Sequence, residues 1–415
     1  MIRRVVILGS TGSIGVQTVE VIEHVNALYS EGRSPVGFKV VGLGAGGNTR
    51  LLCEQARRLN VPLVACASGD IGAADLPAAC RVLRGPESAE ALVPASMGMG
   101  CELVVGAIVG VAGLRAVLGA IDEDIDIALA NKETLVAAGE LMTARARLSG
   151  SRILPVDSEH AALWQCLATS GKERDGLGPA PPFMETAGLA RAFLTASGGP
   201  FRSWPRDRIE RATREDALRH PTWRMGEKVT VDCASLMNKA LELIEAHWLF
   251  GLPAAKLGVL IHPQSTVHAI AEFEDGSSVA QLAPPDMRLP IQRALCWPSL
   301  VPGPANRMDW ASPRSLEFEP PDVDRFPMLA HAWRVMKRGG TSGAIVNAAN
   351  EEAVRAFLAG AIPFGEIARA VDAVCDAVRP GDAGTLERVL EADAAARDAA
   401  RAHLARRGVA IEGRP

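Results

Sequence analysis

At 415 residues the chain is longer than one ordinary core requires, so two or three domains are expected. Hydrophobic residues make up 48% and charged residues 22%, which excludes a disordered chain. The formal net charge of −4 excludes a general attraction to nucleic acid or anionic lipid, so any phosphate must be held by a local site.

The first third alternates short β-branched runs with helical patterns. Runs at 5–8, 38–43, 63–65, 103–105, 125–130 and 153–156 predict strands of βαβ units around a largely parallel sheet. Ligands of such a sheet lie at the carboxyl ends of its strands. The first run leads directly into Gly9-Ser10-Thr11-Gly12-Ser13-Ile14-Gly15, and a helix with Val16, Val19 and Ile22 on its apolar face follows. Glycines let the backbone turn tightly and approach a pyrophosphate, and the helix N-terminus favours its charge. This predicts a Rossmann-like dinucleotide domain, although the spacing is GxxGxxG rather than GxGxxG. The second run ends in Gly44-Ala45-Gly46-Gly47-Asn48-Thr49-Arg50, without the carboxylate that would accept a free ribose 2′-hydroxyl. NADP is therefore expected over NAD, with Asn48 and Arg50 as donors to its 2′-phosphate.

Near the end of the last predicted strand, Asp157 and Glu159 stand two residues apart, so in extended backbone they point the same way. Two hard oxygen ligands suit Mg²⁺ or Mn²⁺. The same residues also fit a helix N-cap and an acidic first turn ahead of Ala161-Ala162-Leu163-Trp164. Beyond them the pattern becomes irregular, with a Gly/Pro-rich insertion at 171–182. Ser197-Gly198-Gly199-Pro200 places a hydroxyl beside two glycines, where backbone N–H groups can form an anion-binding concavity. The polar, arginine-rich stretch 197–227 reads as a lid carrying His220, one of two histidines in a functional context; the other is His268. His24, His247, His331 and His403 read as structural. The segment Ser235–Glu245 predicts a helix on which Asn238, Lys239 and Glu242 share a face, as a third site carboxylate with its neighbours or as a surface ion pair. A Pro-rich segment at 298–327 precedes an Ala-, Arg-, Asp- and Glu-rich tail that predicts packed helices.

Eight cysteines without a CxxC pair read as free thiols in a reducing compartment, and no stretch approaches a membrane span. The opening apolar run is cut short by Gly9 and Ser10 and does not read as a signal peptide, so a cytoplasmic location is expected.

In this order GSTGSIG (9–15), ALANKETLV (128–136), PVDSEH (155–160), SGGPFR (197–202), HPTWRMGEK (220–228), SLMNKALELIEAHWLF (235–250), IHPQSTVH (261–268), PPDMRLPI (284–291) and NAANEEAV (347–354) resemble the 1-deoxy-D-xylulose 5-phosphate reductoisomerase family along nearly the whole chain. The resemblance implies an NADPH domain at 1–156, an α+β catalytic and dimerisation domain at 157–297 with lid 197–227, a linker at 298–325 and a helical bundle at 326–415. It implies NADPH contacts at Thr11, Gly12, Ser13, Ile14, Gly46, Gly47, Asn48, Asn131, Glu133 and Gly226, and metal ligands at Asp157, Glu159 and Glu242. Lys132, Ser158 and Glu159 fall near the reacting part of the substrate. Ser197, His220, Cys233, Asn238 and Lys239 fall on the phosphate or lid side, with Trp223 covering the substrate. A small phosphorylated sugar and a second copy of the chain are the implied partners.

Two residues depart from the family pattern. Gly47 stands where a basic or polar residue is usual, and Cys233 replaces a phosphate-binding serine with a weaker donor. Two outcomes stay open: a lower phosphate affinity, or compensation for the thiol by Ser235 and backbone N–H groups. Outside the resemblance, the same motifs also fit another NADP-dependent dehydrogenase or a non-catalytic NADP-binding regulator.

Overall fold

The computed structural model describes residues 1–168, 180–183, 188–223 and 225–406. Positions 171–179 of the Gly/Pro-rich insertion, Arg224 of the expected lid and the end of the tail at 407–415 lie outside the described residues. The chain forms two units. The first comprises Met1–Thr134, Met142–Phe183 and Asp286–Arg307, and the second Leu135–Leu141, Met184–Pro285 and Met308–Pro415.

Strands β1 (Ile2–Leu8), β2 (Gly37–Ala45), β3 (Leu63–Cys66), β4 (Arg81–Arg84), β5 (Leu103–Gly106), β6 (Asp126–Leu129) and β7 (Ile153–Pro155) make the sheet of the first unit. Its order is β4-β3-β2-β1-β5-β6-β7, with every pairing parallel. A parallel sheet is covered on both faces, which is why its central strands read as unbroken apolar runs. Val5, Val6, Ile7 and Leu8 are fully buried. Each such side chain contributes about 1.5–3 kcal/mol relative to exposure. The chain order reverses between β1 and β5, so the ligand crevice of a doubly wound sheet falls where β1 gives way to Gly9. Strand β4 has no apolar signature. Arg81 and Arg84 are exposed and Val82 and Leu83 only half-buried, as suits an edge strand. The helix Arg288–Cys296 belongs to this unit, where Arg3 donates to the Leu295 carbonyl at 2.9 Å and pairs with Asp126 at 3.3 Å.

In the second unit β8 (Leu189–Ala196), β9 (Leu257–Ile261), β10 (Val267–Phe273) and β11 (Ser278–Leu282) form a mixed sheet of order β11-β10-β8-β9. Only β8 and β9 run parallel. The helices Glu227–Ser235 and Met237–Phe250 are separated by Leu236, which takes the left-handed conformation (φ +60°, ψ +11°). The single helix expected over Ser235–Glu245 is therefore broken after its first residue. Left-handed backbone at a residue with a Cβ costs about 1–2 kcal/mol, so packing must hold Leu236, and its side chain is buried. The tail forms the expected helices, His331–Arg338, Ser342–Leu358, Gly365–Ala377 and Leu386–Ala405. The buried carboxylate of Glu352 there is surrounded by Arg355, Arg397 and Arg401. Among the described residues no helix is long and apolar enough to cross a membrane.

Candidate active site

The nucleotide turn in the first unit is built by glycines that no other residue can replace without displacing backbone. Gly9 has φ +83°, and a Cβ there would lie 2.4 Å from the Ala107 carbonyl oxygen. A Cβ on Gly15 would lie 2.3 Å from the Gly9 oxygen. The Gly9 and Ser10 amides both donate to the Gly44 carbonyl, at 2.9 and 2.8 Å, which ties the turn to the end of β2. Gly12 begins the helix Ser13–Ser30 in extended conformation, and no side chain caps the helix. Thr11, Gly12, Ser13 and Ile14 thus frame an uncapped helix start to which an anion is attracted.

Gly46, Gly47 and Asn48 follow β2 and are exposed, and no carboxylate stands among them. Asn48 caps the next helix by accepting from the Leu51 amide at 3.2 Å. Arg50 is 91% exposed at its side chain and, among the described residues, pairs with Glu54 at 3.1 Å. A Cβ on Gly47 would meet Ser68 Oγ at 2.8 Å, so Ser68 from the loop after β3 stands beside these residues. Nothing in the motif pattern marks Ser68, because it is brought there by the pairing of β2 with β3.

Asn131 precedes the helix Lys132–Ser149, and its side-chain amide donates to the carbonyls of Ile108 and Gly110, the latter at 2.6 Å. Its buried Oδ1 has no partner among the described residues, and neither does buried Ser10 Oγ. An acceptor left in this state costs free energy until a donor arrives, so these atoms and the glycine cradle fit a dinucleotide. Glu133, two residues on, is buried.

The helix Ser158–Ala168 starts at the end of β7. The Asp157 carbonyl accepts its first backbone bond from Ala161, while the Asp157 carboxylate forms an ion pair with Lys132. Ser158 Oγ donates to Glu159 Oε2 at 2.5 Å, and buried His160 lies 3.9 Å from Asp157 Oδ2. Two carboxylates and a lysine are thus held at the carboxyl end of a parallel strand. All-oxygen donors of this kind fit a hard divalent cation, with the ammonium as its charge substitute.

The residues expected on the phosphate or lid side lie in the second unit. Ser197 Oγ accepts from the Gly199 amide at 3.2 Å and lies 3.2 Å from His220 Nε2. His220 Nδ1 accepts from the amides of Trp223, at 2.9 Å, and Thr222, at 3.3 Å, so Nε2 carries the proton of the neutral ring and donates to Ser197. Burial lowers the His220 pKa, which favours this neutral form. Trp223 meets His268 edge-on at 6.3 Å. His268 itself is buried, with Nε2 3.2 Å from the Ala283 carbonyl. His331 and His403 pair with Asp372 and Glu366, as expected of structural histidines. The 197–227 stretch also holds short helices at Arg206–Glu210 and Arg214–Ala217, the latter closed by a Thr213–Asp216 capping box.

Gly198 and Gly199 have φ +84° and +66°, and a Cβ on Gly199 would lie 2.7 Å from the Cys233 carbonyl oxygen. The Ser197–Gly199 loop therefore rests on the helix that carries Cys233, and Gly226 begins that helix without a side-chain cap. The Ser235 hydroxyl is engaged by backbone on both sides. Its buried Oγ donates to the Asp232 carbonyl at 3.1 Å and accepts from the Met237 amide at 3.3 Å, which joins the two helices across Leu236. On the second helix Asn238 donates to Glu242 Oε1 at 2.5 Å and Lys239 forms a buried ion pair with Glu242. The expected shared face is thus formed, with both neighbours directed at one carboxylate.

The parallel sheet, its glycine-built switch-point turn and the lysine-flanked carboxylates fit a dinucleotide-dependent enzyme with a hard-cation site. Family models for 1-deoxy-D-xylulose 5-phosphate reductoisomerase match residues 5–139, for its C-terminal domain residues 153–250, and for the DXP reductoisomerase C-terminal domain residues 282–399. The chain belongs to this family. It is 47% identical over 407 residues to the 1-deoxy-D-xylulose 5-phosphate reductoisomerase of Symbiobacterium thermophilum, covering 97% of this chain and 98% of that one. To the enzyme of the same name from a Synechococcus strain it is 44% identical, covering 98% of each. Its fold is similar to that of the Zymomonas mobilis reductoisomerase solved with NADPH, with a TM-score of 0.84, 38% identity and coverage of 97% and 99%. It is also similar to a reductoisomerase solved with NADPH, fosmidomycin and magnesium, with a TM-score of 0.83, 34% identity and coverage of 97% and 98%.

Proposed function

We propose that the chain converts 1-deoxy-D-xylulose 5-phosphate to 2-C-methyl-D-erythritol 4-phosphate, a rearrangement followed by a reduction, with NADPH and a divalent cation, in non-mevalonate isoprenoid biosynthesis. The observation that carries this is family membership along nearly the full chain, with models matching between residues 5 and 399. When bound, the cation supplies Lewis-acid polarisation of the substrate's ketone and neighbouring hydroxyl, and NADPH supplies the hydride.

The chain's own residues divide the remaining work. Thr11, Gly12, Ser13 and Ile14 receive the pyrophosphate, and Gly46, Gly47 and Asn48 the 2′-phosphate side. Asn131, Glu133 and Gly226 complete the NADPH contacts, Asn131 offering its unpartnered Oδ1 as acceptor. Asp157, Glu159 and Glu242 hold Mg²⁺ or Mn²⁺. Lys132 and Ser158 act beside them, Lys132 placing positive charge where oxyanion character develops. Ser197, His220, Cys233, Asn238 and Lys239 hold the substrate phosphate, and Trp223 covers it. Because His220 is neutral and oriented through its Nδ1, its Nε2 proton fixes the Ser197 hydroxyl towards the phosphate loop. Closure of 197–227 excludes water, and binding of the phosphate contributes the free energy for that closure.

A cytoplasmic homodimer belongs to the same reading. No cysteine forms a disulfide among the described residues, and β11 is an edge strand of its sheet.

The test is NADPH oxidation with 1-deoxy-D-xylulose 5-phosphate before and after exhaustive chelation, with Mg²⁺ or Mn²⁺ then restored. Metal-dependent turnover to the branched tetritol phosphate is expected. Absence of turnover with metal and cofactor present, or turnover indifferent to chelation, would overturn the assignment.

A further inference from the structure

Asp232 stands immediately before Cys233 and is 1% exposed. A carboxylate taken that far out of water is costly unless charged or polar partners meet it. It has two. Lys228, one turn earlier on the same helix, pairs with Oδ2 at 2.9 Å. Asn350 donates to Oδ1 at 2.9 Å from the helix Ser342–Leu358, 118 residues away in the chain. Asn350 is itself fully buried. With one oxygen engaged by each partner, this carboxylate is not placed to accept a proton from a substrate.

Its neighbours explain what it is placed to do. The Asp232 carbonyl accepts from Ser235 Oγ, whose oxygen in turn receives the Met237 amide that starts the next helix. The following carbonyl, of Cys233, is the surface against which Gly199 fits with no room for a Cβ. The phosphate-side residues Ser197, Cys233 and Asn238 come from separate segments, and all three segments meet the turn that Asp232 anchors. A shift of this turn moves them together.

We propose that Asp232, clasped between Lys228 and Asn350, is a positioning residue for the substrate-phosphate pocket, which it aligns by fixing the last turn of the helix Glu227–Ser235, where Cys233 lies, against the Ser197–Gly199 loop. The inference rests on the reading of those residues as phosphate contacts given under Proposed function. Asn350→Ala removes the clasp without touching any residue assigned to substrate, cofactor or metal. The Asp232→Asn change leaves an acceptor for Asn350 but no charge for Lys228.

The experiment compares the full chain and these variants in NADPH oxidation with Mg²⁺. It also measures inorganic phosphate directly, as a competitive inhibitor and by calorimetry, with thermal unfolding recorded for each variant. In Asn350→Ala the substrate KM and the phosphate dissociation constant are expected to rise in parallel by roughly tenfold, the effect of losing a hydrogen bond to a charged group. The kcat and the NADPH KM stay near those of the parent. Asp232→Asn shifts the same two quantities in the same direction by less. A fall in kcat with KM unchanged, an equal loosening of NADPH, or phosphate affinity equal to the parent's would each overturn the inference. Should Asn350→Ala not fold, Asp232→Asn decides by the same criteria. A parent protein without turnover overturns the proposed reaction instead, and phosphate calorimetry on parent and variants still decides the role of Asp232.

Discussion

Gly199→Ala tests the central packing feature of the phosphate side. The substitution asks a residue with a Cβ to hold φ +66°, which costs about 1–2 kcal/mol. It also inserts a carbon 2.7 Å from the Cys233 oxygen and 3.1 Å from the Ala234 Cα, backbone atoms that cannot swing aside as a side-chain end can. Overpacking of this kind costs about 1–3 kcal/mol, so the two effects together amount to about 2–5 kcal/mol. Gly276→Ala separates them. Gly276 has φ +84° in the turn between β10 and β11 with open space around its Cα, so it meets the backbone cost alone. Denaturant unfolding of both variants should therefore differ by the overpacking cost, and Gly199→Ala alone should raise the substrate KM because the loop must lift off its helix. Equal stability losses in the two variants, together with an unchanged KM in Gly199→Ala, would refute the reasoning.

Three further outcomes follow from side chains already described. His220 has its pKa held below the ordinary value by burial, so the folded protein binds this proton less readily than the unfolded chain. Its contribution is fully present above about pH 6.5 and is lost as the pH falls through that value toward the folded pKa; a stability-versus-pH slope unchanged in His220→Gln would contradict this. Arg50→Ala should weaken NADPH by roughly tenfold or more and leave NADH alone, because the ion pair it also loses with Glu54 is too exposed to matter. Equal losses for both cofactors would remove Arg50 from the 2′-phosphate contacts. Cys233→Ser should lower the substrate KM or leave it unchanged with NADPH affinity constant, since a hydroxyl donates better than a thiol; a marked rise would show that the size of sulfur governs the position.

The nucleotide half of the molecule was legible because its signals are local. A buried parallel strand must be apolar along its length, and a turn whose next Cβ would strike its own backbone must be glycine, so β1 and Gly9–Gly15 can be read within a few residues of one another. The helical tail was legible for the same reason, through its periodicity. Strand β4 was not, since its side chains are exposed or half-buried and carry no pattern of burial. Nor was the break at Leu236, because leucine favours helix and only the surrounding packing imposes the left-handed backbone.

The phosphate side is assembled differently, and that difference decides what a motif can reveal. SGGPFR contains the glycines, but the reason for Gly199 is the Cys233 carbonyl, which a different segment supplies. The run VDCAS contains Asp232, but what makes its burial tolerable is Asn350 on a distant helix. Ser235 illustrates the converse error. Its position two residues after Cys233 suggested a substitute hydroxyl, yet that hydroxyl already donates to the Asp232 carbonyl and accepts from the Met237 amide. The sequence around Ser235 does not encode that its hydroxyl joins the two helices on either side of Leu236. The hydroxyl two residues after Cys233 is thus already committed to the join between the two helices. Any compensation for the thiol must come through the placement of the backbone, which is the property that Asp232 and its two partners control.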